Sequence, residues 1–130
     1  MLEGLQLQRL GPGRFRAPHV DGHGNGSLVF GGQILAQMVI AAGSTPGIRP
    51  LTSLHAVFAR PSQLDEPLFI DVDILSDGRN ATSSTVTVHQ GGPPCVRGLA
   101  LALAPQPEVG FNALPLPRIG GPGDAVPLAV

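Results

Sequence analysis

The feature that most constrains the fold is a helix-length segment, residues 31–42, with almost no polar side chains. Its apolar residues fall on nearly every side of a helix, and its polar residues Gln33 and Gln37 lie one turn apart on one face. A helix of this composition must be wrapped by other structure. Gly43 is expected as the residue just past the helix end, and Thr45-Pro46-Gly47 stops the helix.

Four strand-like runs follow the predicted helix, and turn residues bound each of them. The second run alternates, so that Leu68, Ile70, Val72 and Ile74 are expected on one face and Asp71 and Asp73 on the other. Ser76-Asp77-Gly78-Arg79 is expected to form a hairpin turn, with Gly78 available for positive φ. The four runs predict an antiparallel meander and cover residues 51–60, 67–75, 81–90 and 95–104.

The first twenty residues predict one or two short strands around a Gly11-Pro12-Gly13 turn, and a glycine-rich loop at 21–27 leads into the helix. One buried helix and a sheet of long strands predict an α+β fold in which a curved antiparallel sheet wraps a single central helix. Residues 1–104 are expected to form this single domain. Residues 105–130 are rich in Pro and Gly and are expected to be a tail without regular structure.

Composition excludes several classes of function. The longest apolar stretch, 34–42, is interrupted by Gln37 and is far shorter than the roughly 20 residues that span a bilayer, so no membrane span is expected. The basic residues are all arginines, scattered along a chain of net charge −1, which argues against nucleic-acid binding. No secretory signal is evident, and the single Cys95 agrees with a reducing compartment, so a cytoplasmic location is expected.

Three ordered stretches resemble a known family: Val-Phe-Gly-Gly-Gln-Ile-Leu-Ala-Gln at 29–37, Ser-Leu-His-Ala-Val-Phe-Ala-Arg-Pro at 53–61, and Ser-Asp-Gly-Arg at 76–79. Together they are similar to the N-terminal half of the acyl-CoA thioesterase II family. The resemblance implies a hotdog fold and an activity toward acyl-CoA thioesters, with coenzyme A entering as part of the substrate and no separate cofactor. Members of that family usually carry two hotdog repeats, and this chain has length for one. A homodimer, or a heterodimer with another hotdog domain, is therefore expected to close the open sheet edge.

Thioester hydrolysis needs donors for the carbonyl oxygen that becomes negative in the transition state. The start of the helix is expected to supply them, because Gly31 and Gly32 offer no side-chain cap and leave the N–H groups of Gly32, Gln33 and Ile34 open. The Gln33 amide is a further candidate. The alternative is that the glycines only permit close packing, or that Asn25 or Ser27 caps the helix.

A water-activating group is harder to identify. Many hotdog thioesterases resemble one another in carrying Asp or Glu on the central helix, where this chain has the aliphatic Val39 and Ile40. In the two-repeat family the catalytic Asp, Thr and Gln lie in the C-terminal repeat, and the comparable Gln position corresponds here to Pro105. His55 is the remaining candidate base, with Ser53 two residues away on the same strand face. The alternative is that His55 is structural.

Other candidate groups carry less weight. Arg60, Arg79 and Arg97 are candidates for contacts with the phosphates of coenzyme A at a dimer seam. His19, Asp21 and His23 have ligand chemistry but no evident fourth partner, so no metal is predicted. The competing hypothesis to a thioesterase is a catalytically silent hotdog subunit that binds acyl-CoA or completes a heteromer. A hotdog hydratase is weaker still, because no convincing Asp and His pair is present.

Overall fold

The computed structural model describes residues 3–18, 26–45, 49–105, 107, 110, 114 and 118–126. Within them one α-helix packs on a six-stranded antiparallel sheet, which confirms the predicted α+β class. A 3-10 helix at Glu3–Leu5 precedes the first strand. The remaining elements are β1 Gln8–Gly11, β2 Arg14–Ala17, α1 Gly31–Gly43, β3 Leu51–Phe58, β4 Leu68–Asp77, β5 Ala81–His89 and β6 Val96–Leu103.

The strands lie in the order β1-β2-β4-β5-β6-β3, so the prediction of a four-strand meander was wrong for one strand. β4, β5 and β6 do form a meander, but β3 pairs with β6 at the far edge. The reason lies after β3, where the chain pairs with the segment that enters the helix instead of turning back. The N–H of Val29 donates to the oxygen of Ser62 at 2.8 Å, and that of Leu64 to the oxygen of Ser27 at 2.7 Å.

The core lies between α1 and one face of the sheet, which we call the inner face. Strict alternation in β5 and β6 points every second side chain toward the helix and leaves the others on the outer face. Ile34, Met38 and Ala41 of α1 are buried against this inner face. The strand residues that meet them include Phe15, Ile70, Val72, Val86, Val88, Val96 and Ala100.

The helix is covered less completely than its sequence predicted. Its sheet-facing side is fully buried, but Val39 is 43% exposed, and Leu35, Ala36 and Ile40 are only half-buried. Within the described part of the chain, α1 therefore has one side closed by the sheet and another side open. The expected wrapping is confirmed only in part.

Three local details also differ from the sequence predictions. Gly43 is the last residue of α1 and not the residue past its end; Ser44 closes the helix with φ −91° and ψ −1°. β4 continues to Asp77, which pairs with Thr82, so the turn is confined to residues 78–80 and Gly78 keeps a negative φ. Ile74 is 43% exposed although it still pairs in register with the buried Ser84; the register shifts only after it, between Ile74 and Ser76.

The tail has one short regular element, a 3-10 helix at Pro122–Asp124, in its described residues. The division between domain and tail at residue 104 stays a prediction. None of the helices in the described ranges is long and apolar enough to cross a membrane.

Close packing of α1 on the sheet depends on Gly98 of β6. A Cβ atom there would lie 2.8 Å from Cε of Met38 and 3.0 Å from the backbone oxygen of His55. The strand must therefore remain bare at this position for the helix to approach.

We expect Gly98→Ala to lower the free energy of unfolding by about 1–3 kcal/mol, because an added methyl overpacks this contact. Urea unfolding followed by circular dichroism measures the change. Gly92→Ala is the matched control, since a Cβ at Gly92 meets nothing within 4 Å. Equal stability of the two variants would show that the helix does not need a bare strand beneath Met38.

Candidate functional site

The start of α1 is open to a ligand at two amides. Phe30 is the N-cap and makes no side-chain capping bond, and Ser27 does not cap the helix. The N–H groups of Gln33 and Ile34 both donate to the Phe30 oxygen, at 3.0 and 3.3 Å, so the expectation that these two are free was wrong. The first turn of a helix closes on its own cap in this way. Among the described residues, the N–H groups of Gly31 and Gly32 donate to no acceptor. Asn25, the other expected cap, lies outside the described residues.

Two phenyl rings flank these amides. A Cβ on Gly32 would lie 2.5 Å from Cε1 of Phe30, and one on Gly31 would lie 3.3 Å from Cε1 of Phe58. The glycines therefore permit close contact with the rings, and their N–H groups donate to no described acceptor. Each ring remains about half exposed. The site is a pair of N–H donors flanked by two aromatic rings. Neither phenylalanine was among the site residues predicted from the sequence.

The segment after β3 is hydrogen-bonded to the residues that precede the start of α1. Ser62 lies beside Val29, which it holds through its backbone oxygen, and its side chain is only 2% exposed. Its hydroxyl oxygen meets no partner within the described residues. Such a buried hydroxyl is a second polar group that sequence reasoning missed, because nothing in the sequence around Ser62 distinguishes it from an ordinary turn residue.

Gln33 and Gln37 lie on one face of α1, as predicted, and both point to the same backbone oxygen. Nε2 of Gln37 donates to the oxygens of Gly4 at 2.7 Å and Pro18 at 3.1 Å, and Nε2 of Gln33 approaches Pro18 at 3.4 Å. Gln37 is completely buried, whereas Gln33 is half-buried. Gln37 therefore fastens the N-terminal segment to the helix, and the Gln33 amide remains the one nearer to the helix start.

His55 and Ser53 lie apart from the helix start. Leu54, Ala56 and Phe58 of β3 face the core or the glycines of α1, so His55 and Ser53 project from the outer face. Both are exposed, and neither side chain hydrogen-bonds to a described residue. The structure therefore does not bring the candidate base and the candidate donors together within one chain.

Of the three candidate arginines, Arg97 is exposed on β6 opposite Val57 of β3, and the other two lie at opposite ends of β3. Arg60 follows Phe58 at the end near the helix start, and its Nη1 donates to the oxygen of Pro94 at 3.1 Å. Arg79 lies in the β4–β5 turn, beyond the other end of the strand. A single binding site within one chain does not include both.

The Ser-Asp-Gly-Arg motif is held by Arg49, which the sequence analysis did not single out. Its Nη1 lies 3.0 Å from Oδ1 of Asp77 and 2.6 Å from the hydroxyl of Thr82, and its Nη2 donates to the backbone oxygens of Gly78 and Arg79, each at 2.8 Å. The motif thus fixes a turn, which supports a structural role for it. The pKa of Asp77 is lowered, first by the hydrogen bond from Thr82 and then by Arg49.

Metal ligation finds no support in the described ranges, which contain no group of three His, Cys, Asp or Glu side chains arranged to hold an ion. The expected loop ligands His19, Asp21 and His23 lie outside those ranges.

Comparisons with known proteins point to one family. Residues 19–103 match the family model described as acyl-CoA thioesterase N-terminal domain. Acyl-CoA thioesterase 2 of Haemophilus influenzae is 36% identical over 98 residues, which are 74% of this chain and 34% of that protein.

Solved structures agree on the fold. A tesB protein of Mycobacterium avium subsp. paratuberculosis superposes with a TM-score of 0.81 at 27% identity, over 94% of this chain and 48% of that one. A protein with a hotdog fold from Alicyclobacillus acidocaldarius superposes with a TM-score of 0.85 at 22% identity, over 99% of this chain and 50% of that one. The predicted hotdog fold is confirmed. The chain spans about half the length of these structures and a third of the curated relative.

We expect Asp77→Asn to destabilise the fold near neutral pH, because it removes the charge that Arg49 and Thr82 stabilise. The folded pKa lies below its ordinary value of 3.8, so the ionised carboxylate stabilises the fold at higher pH. That contribution is lost as the pH falls through the lowered pKa.

Urea unfolding between about pH 7 and about pH 2 tests this prediction. The difference in the free energy of unfolding between wild type and Asp77→Asn should disappear at the acidic end of this range. Asp73→Asn is the control, since Asp73 is an exposed aspartate of the same strand whose side chain forms no ion pair or hydrogen bond with a described residue. A gap that stays constant with pH would contradict the assignment.

Proposed function

The chain belongs to the acyl-CoA thioesterase N-terminal domain family, and from this we propose that it is an acyl-CoA thioesterase-like protein. In this proposal it hydrolyses or binds acyl-CoA thioesters at an interface with a second subunit. Coenzyme A enters as part of the substrate, with no separate cofactor and no metal. A cytoplasmic location belongs to the same proposal and is supported by the single unpaired Cys95.

The observation that carries the proposal is the pair of open amides at the start of α1. A thioester carbonyl placed there accepts hydrogen bonds from the N–H groups of Gly31 and Gly32 at the positive end of the helix dipole. The same donors stabilise the negative oxygen that forms when the carbonyl is attacked. The half-exposed rings of Phe30 and Phe58 lower the local access of water, which strengthens these hydrogen bonds.

The acyl chain and the attacking water need different surroundings. The open side of α1 exposes Val39 with Leu35 and Ile40 partly uncovered, and such an apolar strip suits an acyl chain once a second subunit covers it. No residue of α1 is acidic, however, so the helix cannot activate a water molecule. His55 projects from the outer face of the sheet, away from α1. It can therefore act as a base only on a thioester that is bound somewhere other than the helix start of the same chain.

The alternative is a silent subunit, and the absence of an acidic residue from α1 specifically favours it. In that case the chain binds acyl-CoA, or completes a heteromer whose partner contributes the carboxylate. The two candidates share the binding site at the helix start and differ only in turnover.

A second hotdog unit is the proposed partner, as a homodimer or a heterodimer. β3 is an edge strand eight residues long, and an unpaired edge of this length is readily extended by another strand. Exposed apolar side chains lie beside it: Val57 is 57% and Leu99 58% exposed. Pairing two such edges about a two-fold axis gives one continuous sheet and restores a two-hotdog unit.

We expect the purified protein to bind acyl-CoAs more tightly than free CoA, and Gly32→Ala to weaken that preference about tenfold by covering the amide with a methyl group or a displaced Phe30 ring. Titration calorimetry with a panel of acyl-CoAs of different chain length measures binding, and a thiol assay measures CoA release. Gly43→Ala is the control, because it lies in the same helix and a Cβ there meets nothing within 4 Å.

The same panel separates the two candidates. CoA release that is lost in His55→Ala supports the enzyme with His55 as its base. Saturable acyl-CoA binding without release supports the silent subunit. A folded protein with neither binding nor release contradicts both.

We expect a dimer in solution, with twice the mass of one chain, and expect Val57→Lys to shift it toward monomer because it places a charge beside the paired edge. Size-exclusion chromatography with light scattering measures the mass. Leu75→Lys is the control, since Leu75 is similarly exposed but lies on the interior strand β4. A monomer in the wild type at every concentration that keeps it soluble argues for a hetero-oligomer instead.

A further inference from the structure

An open cleft of about 280 Å³ lies between the segment that precedes β1 and the end of β2. It is lined by Gln6, Gln8, Arg16, Ala17 and Pro18. The cleft is separate from the start of α1 but adjoins it through Pro18, whose oxygen receives the amides of Gln33 and Gln37.

A buried side chain joins the two segments that lead into this cleft. Gln6 and Gln8 line the cleft on one side, and the end of β2 with Pro18 lines it on the other. Nε2 of Gln37, which is wholly buried, donates to the oxygen of Gly4 at 2.7 Å and to that of Pro18 at 3.1 Å. Gln37 thus ties the segment before β1 to the end of β2 close to the cleft.

The N-terminal hairpin carries three arginines, and only one lines the cleft. Arg9 lies over the ring of Phe15, with Cζ 5.8 Å from the ring centroid. Arg14 pairs with Asp71 at 3.1 Å. Arg16 forms no ion pair or hydrogen bond with any residue in the described ranges. Its guanidinium is the charge of this hairpin that remains for a ligand.

The neighbours of Arg16 on the sheet leave this charge unbalanced. Its direct partner on β1 is the neutral Gln8, and its partner on β4 is Phe69. The nearest carboxylate along β4 is Asp71, and both of its oxygens are engaged, one by Arg14 and the other by Nε2 of His89 at 3.0 Å. Arg16 is therefore a cation between carboxamides, and the side chains of Gln6 and Gln8 likewise bond to no described residue.

We propose that this cleft binds the phosphorylated end of coenzyme A, a step that rests on the proposed function. A guanidinium presents two parallel N–H donors that match two oxygens of one phosphate group. The carboxamides of Gln6 and Gln8 add neutral donors for the remaining oxygens. Arg16 alternates with the buried Phe15 and Ala17 and therefore projects from the outer face of the sheet. The chain that links phosphate to thiol must then pass around the end of β2 at Pro18 to reach the open amides of Gly31 and Gly32.

Titration calorimetry on the whole protein tests the assignment with three probes: coenzyme A, pantetheine, which has no phosphate, and inorganic phosphate. We expect coenzyme A to bind with an affinity that falls as salt is raised, and Arg16→Gln to weaken it about tenfold without changing pantetheine binding. Gln8→Glu should give a similar loss, because the new carboxylate lies opposite Arg16 and neutralises it. Arg118→Gln is the control, an exposed arginine that does not line the cleft and forms no ion pair within the described residues.

The outcomes separate this site from the proposed function. Coenzyme A that binds equally well to wild type, Arg16→Gln and Gln8→Glu overturns the cleft assignment, while acyl-CoA binding or turnover in the same samples leaves the proposed function standing. A second outcome is that both variants lose affinity for coenzyme A, while the wild type neither binds acyl-CoA more tightly than coenzyme A nor cleaves it. This outcome supports the cleft assignment and counts against the proposed function. Equal affinity for inorganic phosphate and coenzyme A, or no binding of coenzyme A at all, also overturns the assignment.

Discussion

The contact between α1 and the inner face of the sheet is the interaction on which the rest of the structure depends. Ile34 and Met38 are almost completely removed from water, and the burial of one such side chain contributes about 1.5–3 kcal/mol. This contact fixes the direction in which the helix points. The direction in turn places Gly31 beside Phe58 at the end of β3, so the position of the open amides is a result of core packing.

The sheet separates the chemistry of the chain into two compartments. The inner compartment holds α1 with its amides and its buried glutamine. The outer face carries His55, Ser53 and the Arg14–Asp71–His89 cluster. Because side chains alternate along a strand, a residue beside another in sequence lies on the opposite face. A histidine in a strand motif that resembles a family can therefore be well placed for a neighbour and remote from its own helix.

Much of the fold follows from local pattern, and most of the errors come from contacts between residues far apart in sequence. The helix and each strand were predictable from periodicity and turn residues to within a few positions. The place of β3 was not, because it depends on pairing between Ser62 and Val29, which no local pattern reveals. Arg49 was missed for the same reason: its partner Asp77 lies 28 residues away. At the site, only Gly32 of the three predicted donors has an N–H group without a described acceptor, because the other two bond to the Phe30 oxygen, and the rings that flank the glycines became visible only after folding.

The long free edge of β3 has a consequence for the life of the chain in a cell. A strand of eight residues with unsatisfied backbone groups attracts any compatible strand, including those of misfolded neighbours. Chains whose β3 edge stays uncovered would then be open to aggregation or degradation, and the proposed pairing of two hotdog units would protect both edges at once by burying each against the other.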